Sequence, residues 1–170
     1  VGTTVVFRKI DENLKQVISF SEEMKLPGIT MKTSHCKIDL IKPDNEVRRM
    51  LQTGTDEFGY CIERVRCAGG LPVGYSKTYL QKGMNLSLNA EEYTKSLYEL
   101  LDKKYGVKIV NGTDVLEAVA ASRSIAGFLE VNTNSPLFRR SRRTFDQNSD
   151  IVEYSICYYP GDRYKYTVNL

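Results

Sequence analysis

The chain has a single histidine, His35, and no pair of cysteines at the two-residue spacing that serves metal sites and redox motifs. Its four cysteines, Cys36, Cys61, Cys67 and Cys157, sit among strand-like residues, which points to reduced, partly buried thiols in a cytoplasmic protein. A Ser/His/Asp set has only His35 to draw on, and there is neither a P-loop nor a GxGxxG turn ahead of a helix. These gaps argue against a catalytic triad, a nucleotide cofactor and a zinc centre, so no cofactor and no metal are expected. No apolar run approaches the roughly 18 residues of a membrane helix. No signal-peptide pattern opens the chain, and neither repeats nor low-complexity linkers interrupt it. In that compartment the sequons at Asn85 and Asn111 carry little meaning.

What remains is an ordinary globular composition. With 170 residues, 41% hydrophobic and 26% charged, the chain suits one soluble domain with a real core. A net charge of +3 is too small to imply that this domain binds nucleic acid by itself. The chain opens at Val1 rather than Met, as expected of a fragment or a processed product.

Local signals favour strands over helices. Ser19 with Glu22 forms a capping box for a short helix that Pro27-Gly28 ends, and residues 34–42 alternate as a strand. Residues 58–67 and the run VGYSKTYL form a hairpin around Ala68-Gly69-Gly70-Leu71-Pro72. Asn89 with Glu92, and Ser96 with Glu99, cap two helices, the second stopping at Gly106 after Lys103-Lys104. Residues 107–119 read as a strand with an irregular middle and 122–131 as a helix. Three strand-like runs follow, at 137–145, 151–159 and 164–169. Short turns between strands favour an antiparallel α+β domain over βαβ winding.

Alternation puts Phe58, Tyr60, Ile62, Arg64 and Arg66 on one strand face. If that face looks into the core, the two guanidinium groups are costly to bury unless anions meet them. If it is solvated at that end, nearby carboxylates suffice, and spacing alone leaves both readings open. The helix starts at Ser96-Leu97-Tyr98 and at Ser19 offer free N–H groups to an anion, although plain capping is the default for each. Glu153, Ser155, Cys157 and Tyr159 share one strand face, an arrangement able to hydrogen-bond a polyol. The run Arg139-Arg140-Ser141-Arg142-Arg143 splits its arginines between two faces and is expected to be a solvated edge strand.

Four segments in this order, SFSEEM, RVRCAGGLPVGYSKTYL, SLYELLDKKYG and VEYSICYYPGDRYKY, resemble the UTRA effector-binding domain of GntR-family transcription regulators of the HutC subfamily. The resemblance runs from about Ser19 to Tyr166, and VGTT at the start resembles the end of that family's winged-helix domain. It implies a chorismate-lyase-like fold, an antiparallel sheet with packed helices, usually dimeric. It implies residues 1–15 as the remnant of a linker from a winged-helix domain absent from this chain, and 16–170 as the effector-binding domain. It also implies a pocket for a small anionic metabolite such as a sugar phosphate. There Phe20, Ser21, Arg64, Arg66, Ser96 and Tyr98 match the anion-holding positions, and Glu153 and Tyr159 match the polyol end. Many members carry a glutamate on the returning hairpin strand in the pattern E-x-S-Y. Here Ser76 replaces it, and the hairpin turn decides whether Ser76 stands across from Arg64 or on the other face. Pro160 stands where an arginine often does. The resemblance therefore implies a cytoplasmic homodimeric repressor that reaches operator DNA through its missing domain. The alternative is a chorismate-lyase-like enzyme with Glu153 as its acid–base group.

Overall fold

The structure is a computed structural model that describes residues 10–13 and 30–167. Six strands form one antiparallel sheet: β2 (Met31–Ile41), β3 (Gly59–Ala68), β4 (Leu71–Gln81), β5 (Ile109–Ala120), β6 (Pro136–Asp146) and β7 (Ile151–Pro160). Their order across the sheet is β2-β3-β4-β7-β6-β5. A separate parallel pair joins β1 (Ile10–Asn13) to β8 (Tyr164–Thr167). Three helices, α1 (Asn45–Leu51), α2 (Leu97–Tyr105) and α3 (Arg123–Leu129), pack on the sheet. The antiparallel α+β architecture with packed helices is the one the sequence predicts. The predicted helix at Ser19, together with Phe20 and Ser21, lies outside the described residues. No helix among the described residues is long and apolar enough to cross a membrane.

The two faces of the sheet have different covers. On the first, α2 lays Leu97 and Leu101 against Ile38, Tyr60, Ile62 and Leu80. The Ser96 hydroxyl accepts the Glu99 N–H at its start, and Gly106, at φ 68°, closes it with N–H bonds to Asp102 and Leu101. The segment just before α2 is a 3-10 turn, Ala90–Tyr93, rather than an α-helix. Asn89 accepts from Glu91 there, so its side chain caps a tighter turn than the Asn89–Glu92 spacing predicts. On the opposite face α1 seats Val47 and Leu51 on Tyr154, while α3 seats Ala126 and Leu129 among Val65, Tyr75 and Leu137.

The central hairpin turns on two residues, Gly69 and Gly70, with φ of 57° and 83°. Both angles are left-handed, the geometry a two-residue turn between right-twisted strands requires and glycine supplies. A second irregularity follows at once. Arg66 pairs with Gly74 but Cys67 pairs with Pro72, so Val73 is an extra residue on β4. That single bulge flips the parity of the returning strand and sets Ser76 directly opposite Arg64.

Two expectations are corrected. Phe58 precedes β3 and is exposed, so the shared face starts at Tyr60. The arginine run 139–143 is not an edge strand: β6 lies between β5 and β7, because the long-range pairing of 109–120 covers its outer side. The edge is β5. Among the described residues the other strand assignments and the helices at 97–105 and 123–129 hold to within a few residues, and none of the four cysteines forms a disulfide.

Arg163, just ahead of β8, holds the sheet's end together. It is buried and donates to the carbonyls of Pro72 (2.6 Å), Leu129 (2.7 Å) and Glu130 (3.2 Å), joining the hairpin to the end of α3. Arg163→Ala leaves the buried carbonyls of Pro72 and Leu129 without this donor and is expected to cost roughly 2–4 kcal/mol. The check is a lower urea midpoint with an unchanged slope in equilibrium unfolding.

A candidate anion-binding site

Register carries side chains of six strands into one band. The paired positions Cys36, Arg64, Ser76, Cys157, Arg140 and Leu116 form a row across the α2-covered face, one from each strand. The adjacent row on that face is Ile38, Ile62, Thr78, Ser155, Arg142 and Asp114. Between the rows and α2 lies a cavity of about 20 Å³, roughly the space of one water, bordered by Arg64, Ser76, Tyr98, Arg140, Arg142 and Glu153 among others. Apart from Tyr98, each of these six residues is less than 5% exposed. A buried band this polar, in the middle of a sheet, is costly to desolvate and marks the candidate site.

Arg64 and Arg66 look into the core, the costlier of the two readings their spacing allowed. Arg64 donates to the Tyr93 carbonyl at 3.2 Å and reaches the Lys95 carbonyl at 3.5 Å, and its buried Nε has no hydrogen-bond partner. Arg66 donates to the carbonyls of Thr94 (2.6 Å) and Lys95 (2.9 Å) and to the Thr33 hydroxyl. Thr33 in turn donates to the Thr94 carbonyl at 2.7 Å. The two guanidinium groups thus hold residues 93–95, the connection leading into α2. Burial lowers the pKa of both, and with the added charge of Arg64 that of Arg66 falls to about 9. Both remain charged at neutral pH, under an electrostatic load that an anion would relieve.

The other predicted residues divide. Tyr98, on the first turn of α2, borders the cavity, and its phenol hydrogen-bonds Glu153 and Arg142. Burial first, and then the Glu153 carboxylate, push that phenol well above its ordinary range. Glu153 also accepts from Thr144 at 3.4 Å. Ser76 and Glu153 line the cavity. Ser96 caps α2 beside it, and Tyr159 stands one step further along β7, stacked on Tyr164 at 4.0 Å. Pro160 ends β7 and pairs with Leu137. His35 faces the other way, bonded to Glu63 at 2.9 Å and beside Phe128.

Sequence reasoning missed Arg140 and Arg142. Both are on the buried face, Arg140 with its guanidinium 5.6 Å from the Tyr159 ring centre. Arg142 meets Asp114 in a two-pronged ion pair at 2.7 and 2.8 Å. The i, i+2 spacing that singled out Arg64 and Arg66 is present here too, and the edge-strand expectation concealed its meaning.

Residues 27–165 match the UTRA domain family. The chain belongs to that family. This UTRA domain is 27% identical over 165 residues to the HTH-type transcriptional repressor NagR of Bacillus subtilis, covering 97% of the chain and 68% of NagR. It is 18% identical over 167 residues to the mannosyl-D-glycerate transport/metabolism system repressor MngR of Escherichia coli, covering 98% of the chain and 70% of MngR. Among solved structures, PhnF from Mycobacterium smegmatis superposes with a TM-score of 0.82 at 22% identity, over 95% of this chain and 72% of PhnF. A GntR-family transcriptional regulator from Enterococcus faecalis gives 0.73 at 25% identity, over 83% of this chain and all of that one (100%). The chorismate-lyase-like fold and the place of the chain among effector-binding domains of GntR-family regulators follow.

The Asp114–Arg142 pair separates a buried ion pair from a surface one on the same strand. Asp114→Asn is expected to cost about 3 kcal/mol by stranding Arg142. Glu117→Gln, whose half-exposed carboxylate meets Arg139, is expected to cost no more than about 1 kcal/mol. Chemical denaturation of the two variants side by side is the test.

Proposed function

We propose that this UTRA domain senses a small anionic metabolite, a sugar phosphate or an organic acid, and that binding alters the grip of an attached DNA-binding domain on its operator. The observation that carries this reading is the burial of Arg64 beside a polar cavity, with Arg66 buried two residues further along the same strand face and main-chain carbonyls among the acceptors of both. An anion offers those guanidinium groups stronger, charge-assisted partners than neutral carbonyls do. In this reading the anion draws guanidinium protons away from residues 93–95 and releases the connection ahead of α2. Its hydroxyl-bearing end meets Ser76, Glu153 and the region of Tyr159, while Phe20, Ser21, Ser96 and Tyr98 complete the anion end.

The domain organisation follows the same lines. The chain spans about two-thirds (68%) of NagR, whose name marks it as an HTH-type repressor. We assign residues 1–15 to a linker from a winged-helix domain and 16–170 to the effector domain, acting as a non-enzymatic module of a homodimer. The edge strand β5 supports the homodimer: it is 12 residues long and exposes Val110, Val115 and Leu116. Effector binding favours one arrangement of the paired domains, and operator DNA must change effector affinity by the same factor in return.

Arg64→Ala and Arg66→Ala are each expected to weaken an anionic effector by about 1.5–3 kcal/mol, the worth of hydrogen bonds to charged groups. Calorimetric titration with the sugar phosphate that most raises the thermal midpoint measures this. Undiminished binding in both variants rules the site out, and turnover of chorismate by the purified chain would favour an enzyme instead.

A further inference from the structure

We infer that two copies of this chain pair edge to edge along β5, antiparallel about a two-fold axis at Val115, so that their sheets run on as one. The inference rests on the homodimer reading above and deepens it by naming the seam and its register. β5 has no strand on its outer side among the described residues, and none of its 12 residues is buried. A strand edge left open is a template for further pairing unless something blunts it.

The opposite edge of the sheet is blunted. β2 carries Lys32 and Lys37 and has a bulge between Thr33 and His35. Its Thr33 and Cys36 side chains are also tied to the carbonyls of Thr94 and Ala90. β5 carries no lysine, arginine or proline, and its one irregularity lies at its start, between Ile109 and Asn111. Its two carboxylates, Asp114 and Glu117, each meet an arginine of β6, Arg142 and Arg139. The regular stretch 111–120 thus offers a second copy an edge with little charge to repel it.

Two constraints fix the register. About a two-fold axis normal to the sheet one residue must stand opposite itself, because opposed residues share a face. Axes at Asp114 or Glu117 would set like carboxylates directly opposite each other. Axes nearer either end would pair only a short part of the regular stretch. Val115 and Leu116 remain, at its centre. An axis at Leu116 sets Glu117 opposite the second copy's Val115. An axis at Val115 sets it opposite the second copy's Thr113, whose hydroxyl can donate to the carboxylate, and it covers the more exposed of the two central side chains. Asp114 lies on this seam while its partner Arg142 borders the cavity, so one ion pair joins seam to cavity in each copy.

The test is the association state of the 170-residue chain by sedimentation, with cysteine crosslinking to read the register. Val115 and Val110 are both exposed, at 52% and 48%. Across the seam the two Val115 side chains start about 5 Å apart, whereas the two Val110 positions are ten strand residues, roughly 34 Å, from each other. A short bismaleimide is therefore expected to join two copies of Val115→Cys, and to join Val110→Cys no more than the unaltered protein. Val115→Lys, which sets like charges on the axis, is expected to weaken the dimer about ten-fold or more with an unchanged circular dichroism spectrum. Should that variant fail to fold, the two cysteine variants still decide. A dimer that crosslinks equally at both positions, at Val110 alone or at neither overturns the β5 seam and leaves the homodimer standing, as does undiminished association of folded Val115→Lys. A chain that stays monomeric at millimolar concentration overturns the homodimer and the seam together.

Discussion

The structure turns on two arginines that the sheet buries and main-chain carbonyls receive. Arg64 and Arg66 sit where an ordinary α+β core would carry leucine or valine, and residues 93–95 bend over them to supply acceptors. Much of the architecture near them serves that arrangement. The 3-10 turn delivers its last carbonyls downward, Ser96 then starts α2 without disturbing them, and Thr33 braces the connection from β2. Neutral acceptors satisfy the geometry of a guanidinium group but only part of its charge.

The sheet divides labour between its faces. Beneath α2 the inner face is polar at its centre and apolar toward the Tyr60 end, where Ile38, Ile62, Leu80, Leu97 and Leu101 pack. The outer face is pinned by two seven-residue helices, α1 and α3, each contributing a pair of buried side chains. Arg163 ties the outer α3 to the hairpin from the far end. Apolar packing at the margins frames the polar centre, so much of what positions the arginines lies outside it.

Much of this was legible in local signals, and the remainder was not for identifiable reasons. Caps and alternation located α2, the hairpin and the last strands, because those signals act within a few residues. The pairing of Arg64 with Arg66 on one face was also local. Which way that face looks depends on α2 and on residues 93–95, some 30 positions away in the chain. Ser76 was ambiguous because Val73, an ordinary β-branched residue, gives no sign that it is an extra residue in the strand. Arg140 and Arg142 were misread because the place of β6 in the sheet is set by β5 and β7, and an inner strand and an edge strand can carry the same alternation.

The bulge at Val73 gives the hairpin a property akin to a parity bit. Every residue from Gly74 to Gln81 presents its present face only because one unpaired position follows a two-residue turn. Loss or gain of one residue between Gly69 and Val73 would leave composition, hydrophobicity and turn propensity almost untouched, yet exchange Ser76 and Thr78 for Tyr75 and Lys77 on the cavity wall. Gain or loss of two residues would preserve the wall. Length change in this turn is therefore far more consequential than substitution, and among chains that keep the pocket its lengths should differ in even steps.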